Sequence, residues 1–342
     1  MSGAAPRPTP RPAIRGLDDL LERRALAPIV DDYRRVEDMI VGNIHFGLDI
    51  VPRVVRYLLE AGGKRIRPIV HCLAAHMVDY AGEDHLLVAS VGEMVHSATL
   101  FHDDVIDEGM TRRGIPTANR VWGNQTPVLV GDFLFARAFS IMMNHRHYEI
   151  ARRLAPTVED LVRGELIQLA HRGKPVVPLE AYREIIRCKT ASLFSWCALS
   201  AGLLAGLPEE RVEDLSRFGH HFGLAFQISD DVLDYSGDGD STGKGTFSDL
   251  AEGKTTLPLI LAVRRDPEIG RELKEWLRGD GAPRPAPDFL ASRVLESGAI
   301  EESIQIAGEH AERAEAALLP FPEGPFREAL FDLCRFTVSR TH

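Results

Sequence analysis

One acidic motif occurs twice in this 342-residue chain, and each copy follows an apolar run with helical spacing. The first copy, DDVID, spans residues 103–107, and the second, DDVLD, spans residues 230–234, 127 positions later. On a helix, side chains four residues apart lie on the same face, so the first and last carboxylates of each copy lie side by side. Like charges at this spacing repel each other unless a cation lies between them. The repeated motif therefore predicts two helices that present carboxylates to one shared cavity.

The rest of the chain has the punctuation of helices and lacks that of strands. Apolar segments run between Gly and Pro breaks, and no Val/Ile/Thr-rich alternating runs bounded by hairpin turns stand out. The stretches 111–119, 236–254 and 279–288 are predicted loops. The predicted helices are 52–60, 68 to the break near 82, 83–108, 126–143, 149–170, 179–205, 209–235, 254–265, 289–317 and 325–339. We therefore predict an all-α, single-domain bundle of ten or more helices around a deep central cavity, over residues 15–342.

Composition restricts the partners and the compartment. The 40 Lys+Arg against 50 Asp+Glu give a net charge of −10, which argues against a nucleic-acid partner because nucleic acid requires a positive surface. Four scattered cysteines, with no C-x-x-C pair, argue against disulfides and fit the cytoplasm. No uncharged apolar stretch reaches the roughly 18 residues of a membrane span, so we expect no transmembrane segment. Residues 1–14 contain four prolines and no apolar signal core, which predicts a disordered tail.

The acidic motifs have the residue types that favour magnesium. Oxygen ligands without accompanying Cys or His suit Mg²⁺, which takes one or two carboxylates together with phosphate oxygens of a substrate. The predicted metal ligands are Asp103, Asp107, Asp230 and Asp234. A single copy could equally be a solvated acidic helix end. Two copies, each after an apolar run, favour a metal site.

Basic residues near these motifs predict binding of an anion. Lys64 and Arg67 lie on a glycine-led turn, GGKRIRP at 62–68, where backbone N–H groups at a helix start favour an anion. Arg112 and Arg113 begin five residues after the first acidic motif, within reach of a phosphate held by its metals. A solvated loop is the alternative interpretation of the turn taken alone. Further cations in or beside apolar helices and the long loop are Lys189, Lys244 and Lys254.

Two uncharged polar side chains each have two interpretations. His96 lies seven residues before Asp103, two helical turns along the same face. A lone helical histidine is usually a core residue, although this one faces the predicted cavity. Gln227, three residues before the second motif, is either a core amide or a carbonyl dipole that faces a developing carbocation.

Seven segments together resemble the trans-isoprenyl diphosphate synthases, also called polyprenyl synthases. They are GGKRIRP (62–68), EMVHSATLFHDDVIDEGMTRRGIPTAN (93–119), VGDFLFARAF (130–139), GELIQL (164–169), KTASLF (189–194), FQISDDVLD (226–234) and GKGTFSDLAEGKTTLPLI (243–260). The resemblance implies the isoprenoid synthase fold, usually as a homodimer. It also implies a Mg²⁺-dependent prenyltransferase of isoprenoid biosynthesis that adds isopentenyl diphosphate to an allylic diphosphate, with a peripheral membrane contact for product release.

The resemblance implies roles for individual residues. The two Mg²⁺-binding sets are matched by Asp103, Asp104 and Asp107 and by Asp230, Asp231 and Asp234. The residues that hold the allylic diphosphate are matched by Arg112, Lys189 and Lys254, with Lys244 as a fourth. The isopentenyl diphosphate site is matched by Lys64, Arg67, His96 and Arg113. Groups lining the allyl cation are matched by Thr190 and Gln227. Phe247 departs from the family pattern, where many relatives have glycine, so closure of the loop over Lys244 is expected to differ in detail.

Residues before the first motif bear on product length. Thr99 and Ala98 lie four and five residues before Asp103, about 6–7.5 Å deeper along a helix, and Val95 lies about 12 Å deeper. None is aromatic, whereas a bulky aromatic here resembles the floor of short-chain family members. We therefore predict a long-chain product, as made by octaprenyl, heptaprenyl or solanesyl diphosphate synthases. Alternatively, Ala98 only packs a neighbouring helix and the floor comes from Phe135, Phe139 or Met142.

Several other functions stay open on sequence alone. A short-chain farnesyl or geranylgeranyl diphosphate synthase would differ only in product length. An all-α HD-type metal phosphohydrolase would use His96, His102 and Asp103, but it leaves the second motif and the Lys/Arg set unexplained. A non-enzymatic lipid-binding or regulatory subunit should have lost metal aspartates or diphosphate lysines, which this chain retains. A terpene cyclase or head-to-head synthase is disfavoured by GGKRIRP and by the Arg112-Arg113 pair.

Overall fold

The computed structural model of the protein describes residues 27–45, 47–174, 177–236, 248–277 and 288–340. The predicted tail at 1–14, Lys244 and Phe247 lie outside these residues. The chain divides into two compact units, of which the first comprises Met1–Cys72 and Glu83–Tyr148 and the second Leu73–Gly82 and Glu149–His342. The assignment of residues 15–342 to a single catalytic domain stays a prediction.

The first unit consists of helices and one short β-ribbon. Its helices are α1 (Ala27–Asn43), α2 (Ile50–Glu60), α4 (Asp84–Ile106), α5 (Ala118–Trp122) and α6 (Gln125–Asn144), and α3 (Ile66–Met77) contains the boundary at Cys72. The ribbon pairs β1 (Thr111–Arg112) with β2 (Ile115–Pro116) in antiparallel register. This ribbon lies in the stretch 111–119 that the sequence predicts as a loop.

Helix α4 forms the centre of the first unit. It packs against α1, α5 and α6, and its residues are buried on nearly every side from His85 to Ala98, as its apolar sequence requires. Gly131 of α6 allows the His102 side chain of α4 to approach closely, because a Cβ at position 131 would lie 2.4 Å from the imidazole. The carboxyl end of α4, which carries the first acidic motif, therefore packs closely against α6 through the His102 side chain.

Among the described residues, α6 is the one helix long and apolar enough to cross a membrane by length and composition. The core helix of a water-soluble protein passes the same test, and α6 packs against α2, α4 and α5. Only 39% of its most apolar window is buried, so much of its apolar surface is accessible. The expectation that no segment spans a membrane stays a prediction.

The second unit is helical throughout its described residues. Its elements are α7 (Tyr148–His171), α8 (Leu179–Ile186), a π-helical turn (Arg187–Ala191), α9 (Ser192–Leu204), α10 (Glu209–Ser236), α11 (Ser248–Ala251), α12 (Leu257–Arg265), α13 (Pro267–Leu277), α14 (Asp288–Glu296), α15 (Ala299–Leu318) and α16 (Pro325–Ser339). Helix α7 begins at Tyr148, the last residue of the first unit.

Helix α10, which carries the second acidic motif, forms the centre of this unit. It packs against α9, α12, α15, α16 and the π-helical turn. Two glycines one turn apart permit this packing. A Cβ at Gly219 would lie 2.4 Å from the carbonyl oxygen of Phe194, and one at Gly223 would lie 2.6 Å from Cα of Ala191. Since Gln227 and Asp231 continue the same four-residue spacing, the glycines bring this face of α10 against the π-helical turn.

The prediction of an all-α fold with ten or more helices is confirmed in the described residues. The predicted helix 325–339 matches α16. The predicted helix 289–317 is two helices, because Gly298 adopts a φ of +71° between α14 and α15. The predicted helix 179–205 is interrupted by the π-helical turn. Helices α1, α5, α11 and α13 were not predicted, and α11 lies in the stretch 236–254 that the sequence predicts as a loop. Asp266 caps α13 by accepting a hydrogen bond from the Glu268 backbone N–H at 3.0 Å.

Replacing Gly219 with alanine tests the close packing of α10. The added methyl would collide with the Phe194 backbone, so the free energy of unfolding should fall by about 1–3 kcal/mol. Gly308→Ala in α15 is the matched control. Nothing lies within 4 Å of a Cβ there, so this change should raise the free energy of unfolding by about 0.5–1 kcal/mol. Denaturant unfolding measures both, and a Gly219→Ala protein as stable as the parent contradicts the packing.

Candidate active site

The first acidic motif divides into accessible and buried carboxylates. Asp103 and Asp107 are half-buried at the carboxyl end of α4, and the backbone N–H of Asp107 donates to the carbonyl of Asp103 at 2.8 Å, so the helical spacing holds. Asp104 is buried, and its Oδ1 accepts hydrogen bonds from Nε of Arg112 at 2.9 Å and Nη2 at 2.8 Å. Its backbone carbonyl accepts from Asn119 Nδ2 at 3.1 Å. Asp104 therefore anchors Arg112, whereas the outer pair, Asp103 and Asp107, stays half-buried.

The β-ribbon directs Arg113 onto the glycine-led turn. Arg113 and Gly114 form the tight connection of the ribbon with φ of +52° and +78°. The Arg113 guanidinium lies against Gly63, where a Cβ would be 2.6 Å from Nη1. Gly63 is needed both for this approach and for its own φ of +144°. The glycine-led turn and the arginine pair, which are distant in sequence, therefore meet in space.

Arg65, the middle cation of the glycine-led turn, is a structural anchor. Its guanidinium is buried and donates to Oε1 of Glu93 at 2.7 Å and to the carbonyl of Leu59 at 3.1 Å. Its Nε lies 3.5 Å from Glu37. The sequence assigns only Lys64 and Arg67 of this turn to an anion, and the inward position of Arg65 is consistent with that choice.

His96 lies within a cluster of guanidinium groups. Burial and the nearby Arg67, Arg113 and Arg112 lower the pKa of His96 well below its usual range, so the imidazole is neutral at neutral pH. Burial and the charges of Arg65 and Arg112 lower the pKa of Arg113 to about 10. The arginines therefore remain charged and repel each other, a cost that a bound anion would offset. The structure thus brings Arg67, His96, Arg112 and Arg113 together in the first unit.

The second acidic motif shows the same division as the first. Asp230 and Asp234 are half-buried on α10, whereas Asp231 is buried. Tyr182 Oη donates to Oδ2 of Asp231 at 2.6 Å, and Gln227 Nε2 donates to Oδ1 at 2.8 Å. Burial and the charge of Asp249 raise the pKa of Asp231 well above its usual range. The middle aspartate is again occupied by protein groups.

Thr190 and Gln227, to which the resemblance assigns the allyl cation, are in direct contact. Thr190 Oγ1 donates to Oε1 of Gln227 at 2.7 Å. Thr190 lies in the π-helical turn, and π-bulges are frequent at functional sites.

Lys189 precedes Thr190 in the π-helical turn and forms an ion pair with Glu165 of α7. Lys254 pairs with Glu252 at 2.7 Å, so both lysines lie beside carboxylates.

Arg340 is a residue of this site that the sequence did not indicate. Its Nη2 lies 3.1 Å from Oδ1 of Asp230, and its guanidinium carbon lies 5.0 Å from the centroid of the Phe226 ring. A basic residue at the end of α16 has no local pattern that connects it with position 230. Tyr182 was also missed. The one feature of the sequence that could have pointed to Tyr182 is its position seven residues, or two helical turns, before Lys189.

The outer carboxylates fit a hard divalent cation. Each pair offers only oxygen ligands at helical i, i+4 spacing, which is the donor chemistry of Mg²⁺ and Ca²⁺. The Arg340 guanidinium beside Asp230 shows that this carboxylate accepts a positive charge. Asp234 also accepts a hydrogen bond from the backbone N–H of Asp249 at 3.2 Å, which orients the carboxylate. The residues present therefore fit the metal that the motifs imply.

The residues assigned to product length lie in and beside the core of the first unit. Val95 and Ala98 are fully buried, and Thr99 Oγ1 donates to the carbonyl of His96 at 2.7 Å. Of the alternative floor residues, Met142 is fully buried and Phe135 and Phe139 are half-buried. The chain-length roles of all these residues stay predictions.

His102 does not join the first motif as an HD-type phosphohydrolase would require. Its Nε2 lies 3.1 Å from the carbonyl of Val128 and 3.4 Å from Asp132, both on α6. The imidazole is therefore directed at the neighbouring helix. This geometry disfavours a metal ligand at His102.

Comparison with known proteins agrees with the motifs. The family model described as polyprenyl synthetase matches residues 49–286. An all-trans-nonaprenyl-diphosphate synthase (geranyl-diphosphate specific) from Rhodobacter capsulatus is 41% identical over 316 residues, which cover 92% of this chain and 97% of the relative. The octaprenyl diphosphate synthase of Escherichia coli is 38% identical over 90% of this chain and 96% of the relative.

Solved structures give the same result for the fold. A polyprenyl synthase from Caulobacter crescentus, complexed with calcium and isoprenyl diphosphate, superposes with a TM-score of 0.87 at 34% identity. The match covers 97% of this chain and 100% of that protein. The expected isoprenoid synthase fold is confirmed.

Proposed function

The chain belongs to the polyprenyl synthetase family, and from this membership we propose that it condenses isopentenyl diphosphate with an allylic diphosphate in a Mg²⁺-dependent reaction. It is an enzyme of the trans-polyprenyl diphosphate synthase class. The proposed product is a long all-trans polyprenyl diphosphate, and the proposed location is the cytoplasm, with a peripheral membrane contact for product release. A short-chain farnesyl or geranylgeranyl product is the alternative.

One observation supports the proposed metal dependence most directly. In both motifs the outer carboxylates are half-buried and lie on one helix face, while the middle carboxylate is buried against protein donors. When bound, Mg²⁺ would supply positive charge that stabilises the leaving diphosphate. The proposed ligands are Asp103, Asp107, Asp230 and Asp234.

The protein's own groups account for the remaining steps. The proposed contacts to the leaving diphosphate come from Arg112, Lys189, Lys254 and Lys244. The proposed contacts that orient isopentenyl diphosphate come from Lys64, Arg67, His96 and Arg113. Such orientation brings the double bond to the allyl cation, which converts a bimolecular encounter into a positioned reaction. The oxygens of Thr190 and Gln227 face that cation with the negative ends of their dipoles. The proton is then lost to the departing diphosphate, since no other base is evident in the part of the chain that the structure describes.

The Mg²⁺-dependent condensation can be tested with isotope-labelled isopentenyl diphosphate and farnesyl diphosphate. Purified protein should form labelled polyprenyl diphosphates with Mg²⁺ and none with excess chelator. Asp103→Asn should lower the rate at least about a hundredfold, because the leaving group loses electrostatic stabilisation. Glu108→Gln, at an exposed carboxylate just after the motif, is the control and should retain activity. Turnover that persists in chelator, or release of inorganic phosphate from nucleotides without prenyl transfer, refutes the proposal.

Bulky substitutions on α4 test the proposed path of the growing chain. Ala98→Tyr should shorten the product, because an aromatic ring would block the path about 7.5 Å from Asp103. Val95→Tyr lies about 4.5 Å deeper, so its product should be longer than that of Ala98→Tyr. Both side chains are fully buried, so cooperative thermal unfolding must be verified first. Chromatographic sizing of the products gives the order, and parent-length products from folded Ala98→Tyr contradict it.

We propose that the enzyme is a homodimer, a state supported by an exposed apolar stripe on α7. Val162, Leu166 and Leu169 are 52%, 61% and 51% exposed at helical spacing. Val158, Val162, Leu166 and Ala170 help line a groove of about 590 Å³ along the same helix. Contiguous apolar surface of this kind marks interaction sites, and a second copy of the chain is the commonest partner.

Leu166→Glu tests the homodimer. A charge in the centre of the stripe should convert the dimer to a monomer, because the dimer interface would bury a carboxylate that has no partner of opposite charge. Leu295→Glu is the matched control, since Leu295 is 44% exposed on α14 away from the stripe, and it should stay dimeric. Sedimentation equilibrium reports the mass. A monomeric parent protein, or dimers of equal strength in both variants, would argue against this interface.

A further inference from the structure

The Gln227 amide is held at both ends, which determines the direction in which its dipole points. Its Nε2 donates to Oδ1 of Asp231 at 2.8 Å, and its Oε1 accepts from Oγ1 of Thr190 at 2.7 Å. A rotated amide would place its carbonyl oxygen against Oδ1 of Asp231, so two acceptors would face each other whenever Asp231 is ionised. It would also lose the acceptor of the Thr190 hydroxyl. These two hydrogen bonds therefore favour the observed orientation.

The direction of this dipole matters for the proposed chemistry. In the observed orientation, the carbonyl oxygen lies on the Thr190 side, where the allyl cation is proposed to form. The negative end of the amide dipole then stabilises the developing positive charge. In the rotated orientation, the NH₂ group would present its positive end and oppose ionisation. Control of one amide rotation therefore controls the sign of an electrostatic contribution to catalysis.

Tyr182 holds the far end of this hydrogen-bond chain. Its hydroxyl donates to Oδ2 of Asp231 at 2.6 Å, and its side chain is only 4% exposed. Tyr182 lies on α8, which leads directly into the π-helical turn that carries Thr190. One continuous segment thus supplies both ends of the chain Tyr182, Asp231, Gln227 and Thr190. With Oδ2 bound to Tyr182, Oδ1 of Asp231 is turned towards the Gln227 NH₂ group.

We propose that Asp231 and Tyr182 are positioning residues that orient the Gln227 amide, with its carbonyl oxygen directed at the reacting allyl cation. Asp231 thereby acts as an amide anchor and not as a metal ligand. This assignment rests on the proposed prenyl transfer for its catalytic meaning. The orientation of the amide itself can be measured without turnover.

Tyr182→Phe removes one hydroxyl and keeps the ring, so it tests the positioning role. We expect kcat for condensation to fall about tenfold, because the amide spends less time in the productive orientation. KM for both diphosphates should stay within about twofold, since Tyr182 is assigned no substrate contact. Tyr235→Phe is the matched control. Tyr235 is equally buried, and its hydroxyl accepts from Thr256 Oγ1 at 3.3 Å, so kcat should stay near the parent value.

A double-mutant cycle separates positioning from general structural damage. If Tyr182 acts through the amide, then Tyr182→Phe should change kcat less than twofold in a Gln227→Ala background. If Tyr182→Phe lowers kcat by the full tenfold in the Gln227→Ala background as well, the two effects are independent and the proposal is overturned. Thermal unfolding of each variant is recorded in parallel, and the Tyr235→Phe protein calibrates the effect of losing a buried tyrosine hydroxyl.

Hydrogen exchange of the Gln227 side-chain amide gives a readout that does not require activity. Its NH₂ resonances, assigned by their loss in Gln227→Ala, should be protected in the parent protein and exchange at least about tenfold faster in Tyr182→Phe. Unchanged exchange would overturn the positioning role even in an active enzyme. Accelerated exchange in a protein without prenyl transfer would preserve the anchor and refute only the proposed function.

Discussion

The burial of one carboxylate in each acidic motif is the constraint on which the rest of the site depends. A helix turns by about 100° per residue, so in D-D-x-x-D the first and last side chains share a face and the second points elsewhere. Asp104 and Asp231 are accordingly buried and held by protein donors, Arg112 in the first unit and Tyr182 with Gln227 in the second. The same sequence pattern therefore gives each unit two half-buried outer carboxylates and one buried anchor.

Glycines permit the close approaches that bring several polar residues of the site to their positions. Gly63 leaves space for the guanidinium of Arg113. Gly164 leaves space for Lys189, because a Cβ at position 164 would lie 2.7 Å from Cγ of that lysine. Gly219 and Gly223 bring α10 against the backbone of the π-helical turn and α9, so that Gln227 meets Thr190. The functional polar groups thus depend on close backbone approaches made elsewhere on the same elements.

Sequence alone could predict the parts of the protein that depend on local spacing. The helical class, the range of α16 and the outer carboxylates follow from periodicity, and the family follows from combined motifs. Contacts between distant segments could not be predicted in this way. The inward turn of Arg65 depends on Glu93, and the position of Arg340 depends on the packing of α16 against α10. The π-helical turn is likewise a product of packing, because RCKTA has no pattern that breaks a helix.

We propose that in each motif the outer carboxylates bind metal, while the middle carboxylate is held by protein donors. Crystals grown with Mn²⁺ and inorganic diphosphate test it through anomalous scattering. Ions are expected about 2 Å from oxygens of Asp103 and Asp107 and about 2 Å from oxygens of Asp230 and Asp234, with Arg340 displaced from Asp230. Ions coordinated by Asp104 or Asp231, or a diphosphate bound to neither outer pair, would contradict it.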